Sequence, residues 1–339
     1  MSHSYYSLIG FKTSQFIVTR GPGDLIPRSS TMASPYETPI LPRLETMLGA
    51  ISKTIIENND IDLSPCEDFS VPDMKWECIV SQVFAEYLGA TRIYGPFLIV
   101  GGSRTGGEVK AYVNVGLGLL RVSNECIEKY ISLAEKIWEA IREVNVKRKY
   151  SLSREYENLR KELEEECIIT PYTFSATGIS LESASKTVIH GLIYSYVLRD
   201  FTALTGGESY RIALVVERSG GKPLDPIITY MGPRGRPAKL VEEEPPSNLI
   251  KLVRSIRRQL AITLLPQPLV KDRGVVLVHP LRPKPLVLQL AKSTLVNGRW
   301  AKTSLEPAYQ PGVVAVKGLI DSRIIRCHCG CSLVLEYTI

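Results

Sequence analysis

The residues best suited to chemistry fall in one short stretch, Tyr230 to Lys239 (YMGPRGRPAK), where two glycines, two prolines and three cations share ten positions. Glycine lets backbone N–H groups approach a phosphate, and a flanking arginine can hold two of its oxygens at once. Gly232, Arg234, Gly235, Arg236 and Lys239 are therefore candidate ligands for a nucleic-acid backbone. The stretch is not a P-loop, because no Gly-Lys-Ser or Gly-Lys-Thr follows the glycines. A second set suited to phosphate, Arg20, Arg28, Ser29 and Ser30, lies in the Gly-, Pro- and Ser-rich run from Arg20 to Pro39. A run of that length suits either a functional loop that meets phosphate or a plain solvated one.

Catalytic and metal chemistry find less support. The histidines are His3, His190, His279 and His328, and none pairs by spacing with a nucleophile or a carboxylate. His190 sits in the apolar run KTVIHGLIY, where a structural role is expected over acid–base work. Cys327, Cys329 and Cys331 alternate with a period of two, which in a strand points all three to one face. Structural zinc prefers Cys-x₂₋₄-Cys pairs that curl around one ion, so buried strand cysteines are expected instead. We expect no catalytic residue, no metal site and no cofactor.

The elements that must carry these residues can be read in order. Tyr5 to Val18 is aromatic and β-branched, a strand or strand pair. Leu41 to Glu57 opens on the turn-forming Pro42 and then places Leu44, Met47, Leu48, Ile51 and Ile55 on one helical face. Arg43 and Thr46 fall in its first turn, where unpaired N–H groups favour an anion. Gly49 and Lys53 lie beside the apolar stripe. A glycine costs about 1 kcal/mol inside a helix, and its missing side chain admits another backbone, from protein or from nucleic acid.

Trp76 to Leu88 is a second amphipathic helix, with Ile79, Val80, Val83, Phe84 and Tyr87 on its apolar face. Thr91 to Val100 and Val109 to Val115 form a hairpin around the polar turn Ser103 to Glu108. Asn124 to Asn145 is again amphipathic. Lys147 to Glu166 alternates charge as a solvated helix laced with i,i+4 pairs does. Ser175 to Phe201 holds a polar loop between two strand-like runs, as a projecting hairpin would. Lys251 to Leu264 reads as a basic helix with Arg254, Arg257 and Arg258 on one side, an electrostatic footprint or a solvated face. Strands are expected at Gly274 to Val278, Leu286 to Leu290, Gly312 to Val316 and Ile324 to Thr338.

Three of these segments resemble one family in order. Pro42, Thr46 and Leu48-Gly49-Ala50-Ile51 resemble the LP-x-x-x-T-x-x-G-A-I helix of the RAMP superfamily, the RNA-binding repeat proteins of CRISPR effector complexes. The run Ile93-Tyr-Gly-Pro-Phe-Leu98 and the hairpin after it resemble the GPFL strand of the branch that holds the guide RNA's 5′ end. Gly178, Ile179, Leu181, Lys186, Thr187, Val188, Gly191 and Tyr194 match its GI-x-L…K-T-V-x-x-G-x-x-Y segment. Gly298-Arg299-Trp300 resembles a late GW segment interrupted by Arg299.

The chain is thus similar to the third-subunit family of type III-B (Cmr) complexes. The resemblance implies an α+β chain of two ferredoxin-like, RRM-related domains, residues 1–165 and 166–339, with inserted loops and a projecting hairpin. It implies a non-catalytic subunit that caps the 5′ handle of the guide RNA in antiviral defence. The partners implied are the large polymerase-type subunit and the backbone RAMP subunit. It also implies RNA contacts at Lys186 and beside the glycine-rich loop. A RAMP endoribonuclease that processes guide precursors, and the equivalent subunit of a type III-A complex, are the alternatives.

Composition agrees with a globular RNA binder without demanding one. The chain has 339 residues, 44% hydrophobic and 22% charged, and a net charge of only +6. No apolar signal region or membrane-spanning run is visible, so a soluble cytoplasmic protein is expected. Seven cysteines without a signal argue against a disulfide framework.

Overall fold

Alternation of apolar residues along extended runs sends successive side chains to opposite faces of a sheet, and a strand buried on both faces reads as nearly all apolar. The chain has several such runs, and they assemble into one large sheet. The computed structural model describes residues 5–13, 17–19, 40–42, 44–68, 70, 72–101, 109–143, 154–181, 188–205, 210–231, 236–254, 260–263, 267–268, 276–281, 287–296, 299–309, 312, 314–317 and 334–337.

In chain order the first half holds β1 (Tyr5–Thr13), β2 (Ile17–Thr19), α1 (Leu44–Asn58), α2 (Pro72–Ser81), β3 (Ala90–Val100), β4 (Lys110–Asn114), β5 (Leu119–Arg121), α3 (Asn124–Glu143) and α4 (Arg154–Glu166). The second holds β6 (Ile168–Ile169), β7 (Tyr172–Leu181), β8 (Val188–Asp200), β9 (Tyr210–Arg218), β10 (Ile227–Met231), β11 (Arg236–Glu243) and α5 (Ser247–Arg254). It ends with β12 (Leu260–Thr263), β13 (Gln267–Pro268), β14 (Val276–Val278), β15 (Val287–Val296), β16 (Arg299–Tyr309), β17 (Val314–Lys317) and β18 (Val334–Tyr337).

The protein is α+β. Eight antiparallel strands run in the order β10-β11-β1-β9-β3-β4-β5-β6. Strands from both sides of residue 165 enter this sheet, and β9 lies between β1 and β3. Smaller sheets join β14-β17-β12-β18, β13-β16-β15 and β2-β8-β7. The hairpin expected after Ser175 is β7 paired with β8 from Tyr172↔Asp200 onward.

Each face of the large sheet carries its own core. On one face Ile9, Phe11, Ile212, Leu214 and Val216 meet Leu44, Met47, Leu48, Ile51 and Ile55 of α1, the stripe its spacing predicts. On the other, Leu8, Phe97, Ile99, Ala213 and Val215 meet Ile127, Tyr130, Ile131 and Ile137 of α3. A bulge between Tyr94 and Phe97 inserts one extra residue, which keeps both aromatics on the α3 side.

Several expectations are corrected. The helix begun by α2 continues as a wider π-type turn, Gln82–Tyr87; Val83, Phe84 and Leu88 of its expected stripe are buried, and Trp76, Val80 and Tyr87 pack partly buried against the same core. The charged helix α4 is not merely solvated, because Tyr156 and Leu163 are fully buried against α3. The basic helix expected over 251–264 begins earlier, after Pro245-Pro246, and α5 ends at Arg254. The β-branched and apolar LAIT that follows is β12, paired with β17 and β18.

Cysteine pairing is the largest correction. Cys66 bonds Cys78 and Cys126 bonds Cys167, the latter across 41 residues. An odd total does not forbid pairs, and folding brings these Cα atoms to 5.6 and 5.4 Å, within disulfide reach. Among the described residues no helix is long and apolar enough to cross a membrane.

Candidate nucleic-acid interface

The strands on either side of the glycine-rich stretch pair with each other. β10 and β11 pair from Ile227↔Leu240 to Met231↔Arg236, so Arg236 stands in the last pair before the tip. β10 is the outermost strand of the large sheet. The hairpin is anchored from below by α1: the hydroxyls of Thr54 and Thr229 share a 3.1 Å hydrogen bond across 175 residues. Ala238 and Leu240 face the same α1-lined core.

The opposite face of the hairpin is open. Directly opposed residues of antiparallel strands share a face, so Ile228 sits beside Lys239 and Tyr230 beside Pro237. Ile228 is 79% exposed and Tyr230 72%, while Lys239 and Pro237 are also exposed. Lys239 is in turn opposite Lys12 of β1, and Lys12 opposite Arg211 of β9. Three cations thus lie in one row across three strands. Arg211 is largely buried, pairs with Glu243 and donates to the Gly101 carbonyl at 3.1 Å. Its burial holds its pKa below the usual arginine range.

Of the sequence-predicted residues, the structure brings α1 and the β10–β11 hairpin together. Thr46 is exposed in the first turn of α1. Lys53 is exposed and 3.7 Å from the equally exposed Glu57. Gly49 is half-buried, and a Cβ on it would lie 3.4 Å from Nε1 of Trp76. The close neighbour at this glycine is therefore an indole of the same chain. Arg20, Arg28, Ser29, Ser30, Arg43, Lys186, Gly232, Arg234 and Gly235 lie outside the described residues, as do Cys327, Cys329 and Cys331.

Sequence reasoning passed over Lys12, Ile228 and the ring of Tyr230 as site residues. The available signal was a lysine inside the apolar run LIGFKT, and a five-residue strand, IITYM, bulky on both faces.

Elsewhere, buried polar groups are spent on structure. His279 is fully buried with Nε2 3.1 Å from the Val115 carbonyl. Tyr130 donates to the Gly312 carbonyl at 2.5 Å, and Tyr156 to that of Pro280 at 2.7 Å. Burial, then the neighbouring Tyr156, pushes the Tyr130 hydroxyl pKa well up. These ties fasten the 276–281 and 312–317 segments onto α3 and α4. Burial lowers the Arg199 pKa to about 10; its guanidinium donates to Thr173 at 2.6 Å. Among the described residues no group of three His, Cys, Asp or Glu could hold a metal ion.

No protein-family model matches the chain, and no curated protein matches it significantly. Among solved structures it is similar to a chain of the type III-B Cmr-beta complex bound to cognate target RNA and AMPPnP. That likeness has 14% identity and a TM-score of 0.49, covering 92% of this chain and 86% of that one. A chain of the same complex bound to cognate target RNA alone gives 15% identity and a TM-score of 0.48, with the same coverage.

Proposed function

We propose that this chain is a non-catalytic RNA-binding subunit of a type III-B CRISPR complex, and that it holds the 5′ handle of the guide RNA. The reading begins from the three RAMP-like segments in family order. With it come the large polymerase-type subunit and a backbone RAMP subunit as neighbours. It also implies two ferredoxin-like halves.

The observation that supports it most is the pair of edge strands β10 and β11: they flank the glycine-rich sequence holding Arg234, β11 begins at Arg236, and α1 buttresses them through Thr54. Glycine and arginine in that combination suit backbone phosphate rather than base edges. Binding there is expected to be insensitive to sequence.

The test is guide binding by the purified chain and by the double variant Arg234→Ala/Arg236→Ala. The double variant should bind every RNA sequence more weakly by roughly 1–3 kcal/mol, as expected for lost charge-assisted contacts. Its salt dependence should flatten by up to about two phosphates' worth. An unchanged salt slope puts the loop away from RNA. Cleavage of repeat RNA by the pure chain, abolished by His190→Ala, would replace this reading with an endoribonuclease. Copurification with type III-A subunits would move the chain to that complex.

A further inference from the structure

The open face of the β10–β11 hairpin combines features that are costly to leave in water unless something binds there. Ile228 and Tyr230 project their apolar bulk from an edge strand, a position that proteins ordinarily blunt with charge or cover. Lys239 is exposed on the same face, directly beside Ile228 and across from Lys12 of β1. A bare apolar face would fit many partners. One that carries an exposed phenol ring beside an exposed cation fits a ligand with flat π-faces and negative charge.

We propose that this face is a stacking platform for single-stranded RNA, on which a base lies against Tyr230 and an adjoining phosphate meets Lys239. The proposal rests on the RNA-binding reading above and adds to it a subsite distinct from the glycine-rich tip. Ile228 and Tyr230 are two residues apart along one strand, so their side chains are about 7 Å apart. The pair can therefore support a base and its neighbour, with Lys239 beside Ile228 at the phosphate edge. Ring stacking accepts any base, since every base has a π-face, so the platform adds affinity without adding sequence preference. Because α1 fixes the underside of β10 through Thr54–Thr229, the ring is presented from a supported strand.

The experiment measures anisotropy of a fluorescein-labelled oligouridine with the full chain, across a salt series, for the wild type, Tyr230→Ala, Tyr230→Phe and Lys239→Ala. Tyr230→Ala should weaken binding by about 5- to 150-fold, the loss of one base–aromatic stack. Tyr230→Phe should bind as the wild type does, since the stacking ring is kept. Lys239→Ala should reduce the salt slope by about 0.7, one phosphate on a single strand. Tyr230→Ala and Tyr230→Phe should keep the wild-type melting temperature, because that side chain is exposed.

If Tyr230→Ala and Lys239→Ala bind as the wild type does while Arg234→Ala/Arg236→Ala loses affinity, the platform is wrong and the RNA-binding reading stands. If the wild type does not bind RNA, both fall. If Tyr230→Ala keeps RNA affinity but loses self-association or a copurifying protein, the face docks protein, and the proposal is overturned.

Discussion

Tyr130 and Tyr230 carry the same phenol and meet opposite fates. Tyr130, on α3, is fully buried, and its hydroxyl donates to the Gly312 carbonyl at 2.5 Å. Tyr230, on the sheet edge, is 72% exposed, and among the described residues no hydrogen bond reaches it. The cations divide in the same way. Arg218 is fully buried, pairs with Glu242 and donates to the carbonyls of Leu88 at 2.6 Å and Lys222 at 2.5 Å. Lys239 stands in solvent. A polar group inside must be matched by the chain itself, because an unmatched one costs 1–3 kcal/mol or more. Groups that the chain leaves in solvent, arranged on a rigid strand pair, are the ones still able to serve a ligand.

The sharpest way to break this contrast is Arg218→Ala. The change would leave Glu242, only 13% exposed, without its cation, and strip the carbonyls of Leu88, Gly220 and Lys222 of this donor. Breaking a buried pair from one side costs about 3–5 kcal/mol. The loop from Ser219 to Pro226 should loosen with it, because Gly89 and Gly221 meet so closely there that a Cβ on Gly221 would lie 2.2 Å from the Leu88 carbonyl carbon. Urea denaturation would register the loss as a lower midpoint. A wild-type midpoint would mean that Arg218 is no structural hub.

Tyr130→Phe comes next. It removes one hydroxyl and leaves the Gly312 carbonyl buried without that donor, at about 1–3 kcal/mol. Hydrogen exchange should report faster opening in 276–281 and 314–317, the segments this tie helps to hold. RNA affinity should not change, which separates the seam from the hairpin face.

Local order was legible in the sequence and long-range matching was not. The α1 stripe of Leu44, Met47, Leu48, Ile51 and Ile55 follows from helical period alone, and all five are buried. The β3–β4 and β7–β8 hairpins follow from strand runs around polar turns. Arg218 gave no such signal: it ends an apolar strand, YRIALVVER, where a terminal cation ordinarily meets solvent. Its carbonyl partners come from a turn 130 residues earlier and a loop just after it. Cys126 and Cys167 are likewise paired by the packing of α3 against α4, which no spacing rule encodes. The glycine-rich stretch was readable as a break in regular structure. That its flanks form the sheet edge, with Lys239 facing Lys12, depends on a strand order joining residues 5–13 to 236–243.

Gly49→Leu probes the boundary between the two regions, since α1 buttresses the hairpin. A Cβ there meets Trp76 Nε1 at 3.4 Å, ordinary contact, but the rest of a leucine would have to displace the indole. Trp76 is only half-buried and can give way, so we expect about 1–2 kcal/mol, the lower part of the overpacking range. Melting temperature should fall while RNA affinity holds. Loss of affinity in a stable fold would instead mean that RNA passes over this face of α1.

The smallest expected effect has the most telling sign. Lys239 and Lys12 are cross-strand neighbours on the open face, and like charges in that relation repel. Lys239→Glu turns the repulsion into an attraction between an exposed carboxylate and the partly buried Lys12, worth roughly 0.2–1 kcal/mol in favour of the fold. The same substitution sets a negative charge where we place a phosphate, so RNA affinity should fall as stability rises. A residue kept for the fold cannot behave in this way, because removing it would lower both. Thermal melts and RNA titrations on this one variant therefore separate the two roles. The gain in stability should shrink as salt is added, since surface charge is screened over about 10 Å at 0.1 M. A variant that melts lower than the wild type would show that Lys239 supports the sheet after all, and the contrast between buried, matched cations and a cation left for a ligand would lose its clearest case.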